Sequence, residues 1–404
     1  MIKQLFSISF EGNNGLAGHV VVDSIFNGTS SGGVRIVPDL EIEEVRMLAA
    51  EMTLKYALCG LPRGGAKCGI QMPSSLTREQ RLSALEDAGR RLRPLINAGI
   101  YYPGMDMNCG SEELGAIYRG AGFDLGTMTD TSFYTAVFAA EALRACADVL
   151  FAEHKGPLTM AVEGFGKVAS NLAAMLEPDR FRIVALSTVR GAVHHPEGFT
   201  PAVLAQSRAA HGDALVQHLP GTCLKSRDEL LFLPVDILVP AARVGSISKE
   251  NVERVAARSL VSVANAPCTA EALEELHRRR ILVLPGFVCN AGGVLGSSLI
   301  DRGVSQPEVQ KLAAGPYRKA VSALLRRSLE LGEQPTELAR RIAHGLIGSR
   351  GEKPASRFGR LLARLARRFT MARRYVNRHA ARDCARHFAH VAESVPRLAG
   401  VKVS

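Results

Sequence analysis

Two lysines, one aspartate and a cluster of glycines are where this sequence could first do chemistry. Lys67 lies in LPRGGAKCGI (61–70), behind Gly64, Gly65 and Ala66 and ahead of Gly69, and Lys55 precedes it by 12 residues. Two ammonium groups in one pocket attract a carboxylate, and each lowers the pKa of the other. A lysine tuned in this way polarises a carbonyl or exchanges protons with water. The spacing alone is also that of two solvated surface lysines. Asp106, in YYPGMDMN (101–108), sits on a Pro/Gly turn between apolar residues. Its type suits a general acid/base, and equally an Asx-turn or helix cap.

A second group of residues is suited to phosphate. Gly164-Phe165-Gly166-Lys167-Val168-Ala169 has the form GxGxxA. Gly164 permits a tight turn, Gly166 lets backbone approach a pyrophosphate, and Ala169 keeps helix and strand close. A helix N-terminus behind the turn supplies amides and the positive end of a dipole. The run before the turn reads as a strand, KVASNLAAMLE after it as a helix, and RIVALS as a second strand. That context turns a weak hexapeptide into a dinucleotide-binding signal. The second strand ends in Ser187, Thr188 and Arg190, without the carboxylate that would hold a ribose 2′-hydroxyl. Small hydroxyls beside an arginine suit a 2′-phosphate, and so NADP rather than NAD; the alternative is that Arg190 points to solvent.

These residues need elements to position them. GHVVVDSIF (18–26) alternates as a strand does. LEIEEVRMLAAEMTLKYALC, from Leu40, has helical apolar spacing and ends near Gly60, so Lys55 lies in its last turns. LTREQRLSALEDAGRRLRPLINAG is a second helix, opened by Thr77, and TSFYTAVFAAEALRACADVL is a third, apolar one. DILVP (236–240), SLVSVA (259–264) and ILVLP (281–285) are short apolar runs that suit buried parallel strands. After residue 304 the pattern is helical.

Composition sets the limits. A chain of 404 residues exceeds one comfortable core. No apolar run reaches the roughly 18 residues that cross a bilayer, and MIKQLFSISFEGNNG has no secretory pattern. The eight cysteines are scattered, with no CxxC pair or Cys/His set, so no metal site is expected and a reduced, cytoplasmic protein is the simplest reading. Residues 351–404 carry 13 Lys and Arg against 3 Asp and Glu, so ten of the eleven net positive charges lie in the tail. The basic pI therefore describes an extension and not the body.

Taken in order, the segments resemble the glutamate/leucine/phenylalanine/valine dehydrogenase family. The resemblance runs through Gly32-Gly33-Val34-Arg35, MTLKYA, LPRGGAKCGI, PGMDMN, TDTSFYTA and VEGFGKVA, then VPAARVGSIS, VANAPCTAEA and LPGFVCNAGGVLGSS, over roughly residues 15–345. It implies an α/β protein of two domains. Residues 1–134 would form the substrate and oligomerisation domain and 135–300 a Rossmann-type dinucleotide domain. Helices over 301–350 would return to the first domain, and 351–404 would be a basic helical extension. It implies an NAD(P)-dependent L-amino acid dehydrogenase, a homo-oligomer that interconverts an amino acid with its 2-oxo acid and ammonia. Lys67 would polarise the carbonyl and activate water, Lys55 would bind the α-carboxylate, and Asp106 would move protons. Ser31, Gly33, Asn290 and Ser297 would meet the substrate. Gly164, Gly166, Lys167, Val168 and Ala169 would hold the pyrophosphate, and Ser187, Thr188 and Arg190 the adenosine ribose. Thr135, Asn265 and Asn290 would sit by the nicotinamide riboside.

The sequence departs from the family pattern in four places. Glutamate enzymes carry a lysine where Ser31 stands, to hold the side-chain carboxylate. A buried carboxylate without that cation is costly, so a neutral substrate side chain is expected, with glutamate as the alternative. Glu163 replaces a usual glutamine, Gly286 a usual aspartate, and VANAP lacks the usual Glu-Gly pair. The tail places Phe358, Leu361, Leu362, Leu365, Phe369 and Val376 at helical intervals among arginines. Packing on this chain or a neighbouring subunit is the expectation for it. A polyanion partner such as nucleic acid would have to use this tail. That would suit a non-catalytic family descendant, the rival from another functional class.

Overall fold

A computed structural model of the chain describes residues 5–126, 129–349 and 380–398. The chain divides into two compact units, the first running to Thr129 and resuming at Ala343, the second holding Asp130–Ile342 and the last described helix. The first unit is built on β1 (Phe6–Glu11), β2 (Ala17–Val22), β3 (Ser30–Ile36), α1 (Ile42–Leu58), β4 (Gly64–Gln71), α2 (Arg78–Asn97), β5 (Tyr101–Met105) and α3 (Ser111–Ala121). Its sheet has the order β1-β2-β4-β3-β5, with β1–β2 and β2–β4 antiparallel and β3 parallel to both β4 and β5.

β4 is buried on both faces, which explains its unusual composition. Ala66, Cys68 and Ile70 join the core formed with Leu85, Leu92, Leu114 and Ile117 of α2 and α3. The other face lies under α1, so close that a Cβ at Gly69 would come 2.6 Å from the Val45 side chain and one at Gly65 2.2 Å from the Thr53 amide. The helix pair α2–α3 uses the same device, since a Cβ at Gly89 would meet the Ile117 carbonyl at 2.0 Å. Thr77 opens α2 with a capping box, its hydroxyl accepting from the Gln80 amide.

The second unit contains α4 (Thr131–Leu150), β6 (Leu158–Glu163), α5 (Lys167–Met175), β7 (Phe181–Thr188), β8 (Gly191–Phe199), α6 (Pro201–His211) and β9 (Thr222–Cys223). It continues with β10 (Ile237–Pro240), β11 (Ser259–Val261), α7 (Ala270–Arg278), β12 (Leu282–Leu284), α8 (Gly286–Cys289) and α9 (Gly292–Ile300). The sheet order is β12-β11-β10-β6-β7-β8-β9, parallel from β12 to β7. Strand order reverses between β6 and β10, and the crevice at the carboxyl ends of such a pair is where doubly wound sheets bind ligands. The five parallel strands are the apolar runs of the sequence. The antiparallel additions β8 and β9 are not legible there, because GAVHHPEGF lacks a clean alternation and contains Pro196.

Helices α10 (Gln306–Leu312), α11 (Arg318–Leu331) and α12 (Pro335–Ser349) follow. The segment 301–342, expected to return to the first domain, lies in the second unit, where Arg318 of α11 pairs with Asp148 of α4 at 2.5 Å. The tail residues from Phe358 to Val376 lie outside the described residues. The last helix, α13 (Ala380–Leu398), buries Phe388, Val391 and Val395, with Phe388 edge-on to Tyr317 at 5.6 Å. That part of the extension packs on its own chain. Among the described residues no helix is long and apolar enough to cross a membrane, and no group of His, Cys, Asp or Glu could hold a metal ion.

Candidate active site

In the first unit, three strands and one helix bring four charged side chains together. Lys67 comes from the α1-facing side of β4, Asp106 follows β5 directly, Arg35 lies on β3, and Lys55 is in the last turns of α1. Lys67 Nζ donates to Asp106 Oδ2 at 2.7 Å, and Arg35 Nε donates to the same oxygen at 3.0 Å. Arg35 also pairs with Glu44 at 2.5 Å. Lys55 and Lys67 are both buried, at 5% and 2% exposure, so neither is a surface lysine.

The glycines make room for this group. A Cβ at Gly33 would lie 2.7 Å from the Asp106 Cβ, and one at Gly32 would lie 1.6 Å from the Ala66 carbonyl oxygen. A side chain at Gly33 would press on Asp106 and shift its carboxylate from Lys67. Burial works to raise the Asp106 pKa, but the charges and hydrogen bonds of Lys67 and Arg35 prevail and hold it well below the carboxylate range. Burial lowers Lys67, against the attraction of Asp106. Lys55 falls to about 8, through burial first and Lys67 repulsion in part, against the pull of Glu51. The site therefore holds an ionised carboxylate and two lysines that release protons more readily than free lysine.

Ser31 lies on the same strand as Gly33, two residues back, paired in register with Gly65 and Tyr102. Its hydroxyl donates to the Tyr102 carbonyl at 2.9 Å and shares a hydrogen bond with the Tyr56 hydroxyl. Arg63, exposed, holds its guanidinium over the Tyr102 ring, 5.5 Å from the centroid. Arg35 and Arg63 were in view in GGVR and LPRGG without an assigned role. The available signal for Arg35 was its two-residue offset from Gly33, which puts both on one strand face.

In the second unit the glycine turn follows β6. Gly164 has φ +87°, and a Cβ there would meet the Ala242 Cβ at 2.5 Å. Gly166 is the N-cap of α5, and no side chain caps that helix. A Cβ at Gly166 would meet nothing within 4 Å, so the space before the amides is open. Ala169 is buried, Val168 half-buried and Lys167 exposed. A left-handed turn, an open approach and uncapped amides are what a pyrophosphate requires, so these residues fit a dinucleotide.

The other expected contacts are partly engaged within the fold. Ser187 Oγ accepts from the Gly164 amide at 3.1 Å, beneath the turn. Thr188 Oγ1 donates to the Asp213 carbonyl at 2.6 Å and accepts from the Arg190 amide, while the Arg190 side chain is exposed. Asn290 Nδ2 donates to the Val263 carbonyl at 3.0 Å and to Asn265 Oδ1 at 2.9 Å, leaving its buried Oδ1 as an acceptor without a partner. Thr135 donates to the Thr131 carbonyl at 2.8 Å, and Ser297 donates to the Gly293 carbonyl at 2.7 Å. The glycines of NAGGVLG serve packing: a Cβ at Gly292 would lie 2.0 Å from the Tyr134 carbonyl. Gly286 also has a steric cause, since any Cβ there would meet the Ala264 carbonyl at 2.1 Å.

Comparison with known proteins identifies the family. Residues 3–121 match the Glu/Leu/Phe/Val dehydrogenase dimerisation domain, and residues 115–302 match the Glutamate/Leucine/Phenylalanine/Valine dehydrogenase domain. The glutamate dehydrogenase of Thermotoga maritima is 36% identical over 303 residues, covering 69% of this chain and 70% of that protein. That of Aeropyrum pernix is 31% identical over 288 residues, 67% and 68% of the two chains. The solved hetero-hexameric glutamate dehydrogenase from Thermus thermophilus, in its leucine-bound form, superimposes with a TM-score of 0.70 at 26% identity, covering 86% and 89%. The chain is a member of the glutamate/leucine/phenylalanine/valine dehydrogenase family, the amino acid dehydrogenases.

Proposed function

We propose that the protein is an NAD(P)-dependent L-amino acid dehydrogenase, which interconverts an amino acid with a neutral side chain and its 2-oxo acid and ammonia. The observation that carries this reading is the buried contact of Lys67 with Asp106, 2.7 Å long, with the charge of Lys67 felt at Lys55. Lys55 is the cation for the α-carboxylate. Lys67 faces the carbonyl or carbinolamine oxygen, where negative charge develops, and a fixed ammonium in a buried site stabilises it. Asp106, held ionised by Lys67 and Arg35, takes a proton from the attacking water or the ammonium group and returns it in the next step. The bound nicotinamide would supply the hydride chemistry. Its dinucleotide would be held at Gly164, Gly166, Lys167, Val168 and Ala169, with Thr135, Asn265 and Asn290 toward the nicotinamide end. Ser187, Thr188 and Arg190, without a carboxylate, favour NADP over NAD.

The neutral side chain follows from Ser31 and Ser297. Neither is a cation, and both hydroxyls donate to backbone carbonyls. A second reading, glutamate as substrate, has one observation of its own. The Arg63 guanidinium lies over the ring of Tyr102, the residue paired with Ser31, and offers a cation to a second carboxylate; the curated relatives are also named glutamate dehydrogenases. Assembly as a homo-oligomer through the first unit is supported by its match to a dimerisation domain. The deciding experiment follows NADPH and NADH absorbance with ammonia and a panel of branched, aromatic and acidic 2-oxo acids. Turnover of branched or aromatic acids is expected. Preference for 2-oxoglutarate, lost in Arg63→Ala, would favour the second reading. No turnover with any acid, together with salt-sensitive retention on nucleic acid, would favour a non-catalytic descendant.

A further inference from the structure

β6 ends in a carboxylate where a dinucleotide site has least use for one. Glu163 lies one residue before the Gly164 turn and is 2% exposed. A bare anion beneath a pyrophosphate repels it across a short, poorly screened distance, and glutamine is the residue expected at this position. The structure supplies an answer from the neighbouring loop. Arg243 Nε donates to Glu163 Oε1 at 2.7 Å, and Ser246 Oγ donates to Oε2 at 3.3 Å. A second nitrogen of Arg243 donates to Asp228 Oδ1 at 2.5 Å, which fixes the guanidinium from the opposite side. The backbones are joined as well: the Ala241 amide donates to the Glu163 carbonyl at 2.8 Å, and Ala242 touches the Gly164 turn.

The geometry points to Arg243 as a positioning residue for the cofactor turn: it cancels the buried charge of Glu163 beneath the phosphate site and ties the loop after β10 to the loop after β6. This rests on the dinucleotide reading of the Gly164 turn. Glu163 ends β6 and Arg243 lies in the loop after β10, the two strands where sheet order reverses, so the pair braces both walls of the binding crevice. Three elements present groups to Glu163. The loop after β10 brings Arg243 and Ser246. The short helix Arg227–Phe232 brings Asp228, which meets it through Arg243. The segment before α7 brings the Cys268 thiol, pushed up to about 12 by burial first and by the Glu163 charge second. Only Arg243 among them is cationic. Burial already raises the Glu163 pKa against the hydrogen bonds and charge of Arg243, so removing Arg243 raises it further.

The test is a pH series of dinucleotide titrations, read by fluorescence of NADPH or NADH, on the wild type, Arg243→Gln and the double variant E163Q/R243Q. Glu163 without its partner is more protonated at low pH than at high pH. Arg243→Gln should therefore lose more affinity as pH rises, reaching about tenfold at the alkaline end of the series. The double variant should return to the wild-type profile. Equal weakening at every pH, weakening that persists in the double variant, or no weakening would each overturn the proposal. Thermal unfolding without ligand provides a second measurement. A carboxyl whose folded pKa is raised costs stability as pH rises, so Arg243→Gln should melt lower at high pH and E163Q should restore it. If the wild type binds neither dinucleotide, the reading of the turn fails. The proposal then falls with it, and the unfolding series reports the ion pair alone. If Arg243→Gln does not fold, recovery in the double variant supports the pairing, and failure to recover overturns it.

Discussion

The lysine site of the first unit and the glycine turn of the second handle charge in opposite ways. The first concentrates it in side chains: Arg35, Lys67 and Asp106 share one carboxylate oxygen beneath α1, and Lys55 is buried nearby. The second presents backbone: open amides before α5, and one buried carboxylate cancelled by an arginine. Side-chain charge in a buried site is worth much and costs much to strand, so single truncations there should be severe. Backbone amides cannot be removed by mutation, so the turn is sensitive to bulk and to nearby charge instead.

The sharpest way to break this contrast is Lys67→Ala. It should lower kcat by about a thousandfold or more, since a fixed cation at a developing oxyanion is removed, while dinucleotide affinity stays unchanged. Retained turnover would take Lys67 out of the mechanism. Gly33→Ala comes next. Its Cβ would lie 2.7 Å from that of Asp106, and a displaced proton carrier should cost about a hundredfold in kcat. Wild-type kinetics in that variant would mean that Asp106 needs no fixed place.

A third test uses pH. Burial lowers the Lys55 pKa to about 8, and in the proposed function its protonated form attracts the α-carboxylate. The kcat/KM for the 2-oxo acid should therefore fall as pH rises through about 8, and Lys55→Arg should move that fall to higher pH. A profile that ignores this substitution would place the carboxylate elsewhere. The smallest expected effect belongs to Arg190→Asp, on the exposed end of β7. It should shift preference from NADP toward NAD by a few fold to tenfold, and an unchanged ratio would remove Arg190 from cofactor choice.

The parts of the site legible in the sequence were the local ones. GxGxxA between a strand and a helix implied its own turn, and Gly164 and Gly166 have the conformation and space that pattern requires. Lys55, Lys67 and Asp106 were legible as a family order of segments, although their spacing alone also allowed a solvated surface. Arg35 stands in the same order of segments, but its partner was not legible, because Asp106 lies 71 residues away and reaches it only through the β3–β5 register. Arg243 is 80 residues from Glu163 and meets it only because β10 pairs beside β6. The departures at Glu163 and Gly286 had no visible cause in the sequence; in the fold, one is half of an ion pair and the other stands against a carbonyl oxygen.

By itself, the sequence determined the main elements: buried parallel strands from apolar runs, helices from their spacing, and a strand–helix turn from its glycines. It also carried the family. Tertiary structure alone decided which charges meet, whether a lysine is buried or solvated, and that the helices over 301–342 stay with the second unit. The physical reason is range. Backbone preference acts over a few residues, whereas the pKa of a buried group depends on neighbours that strand pairing brings from anywhere in the chain.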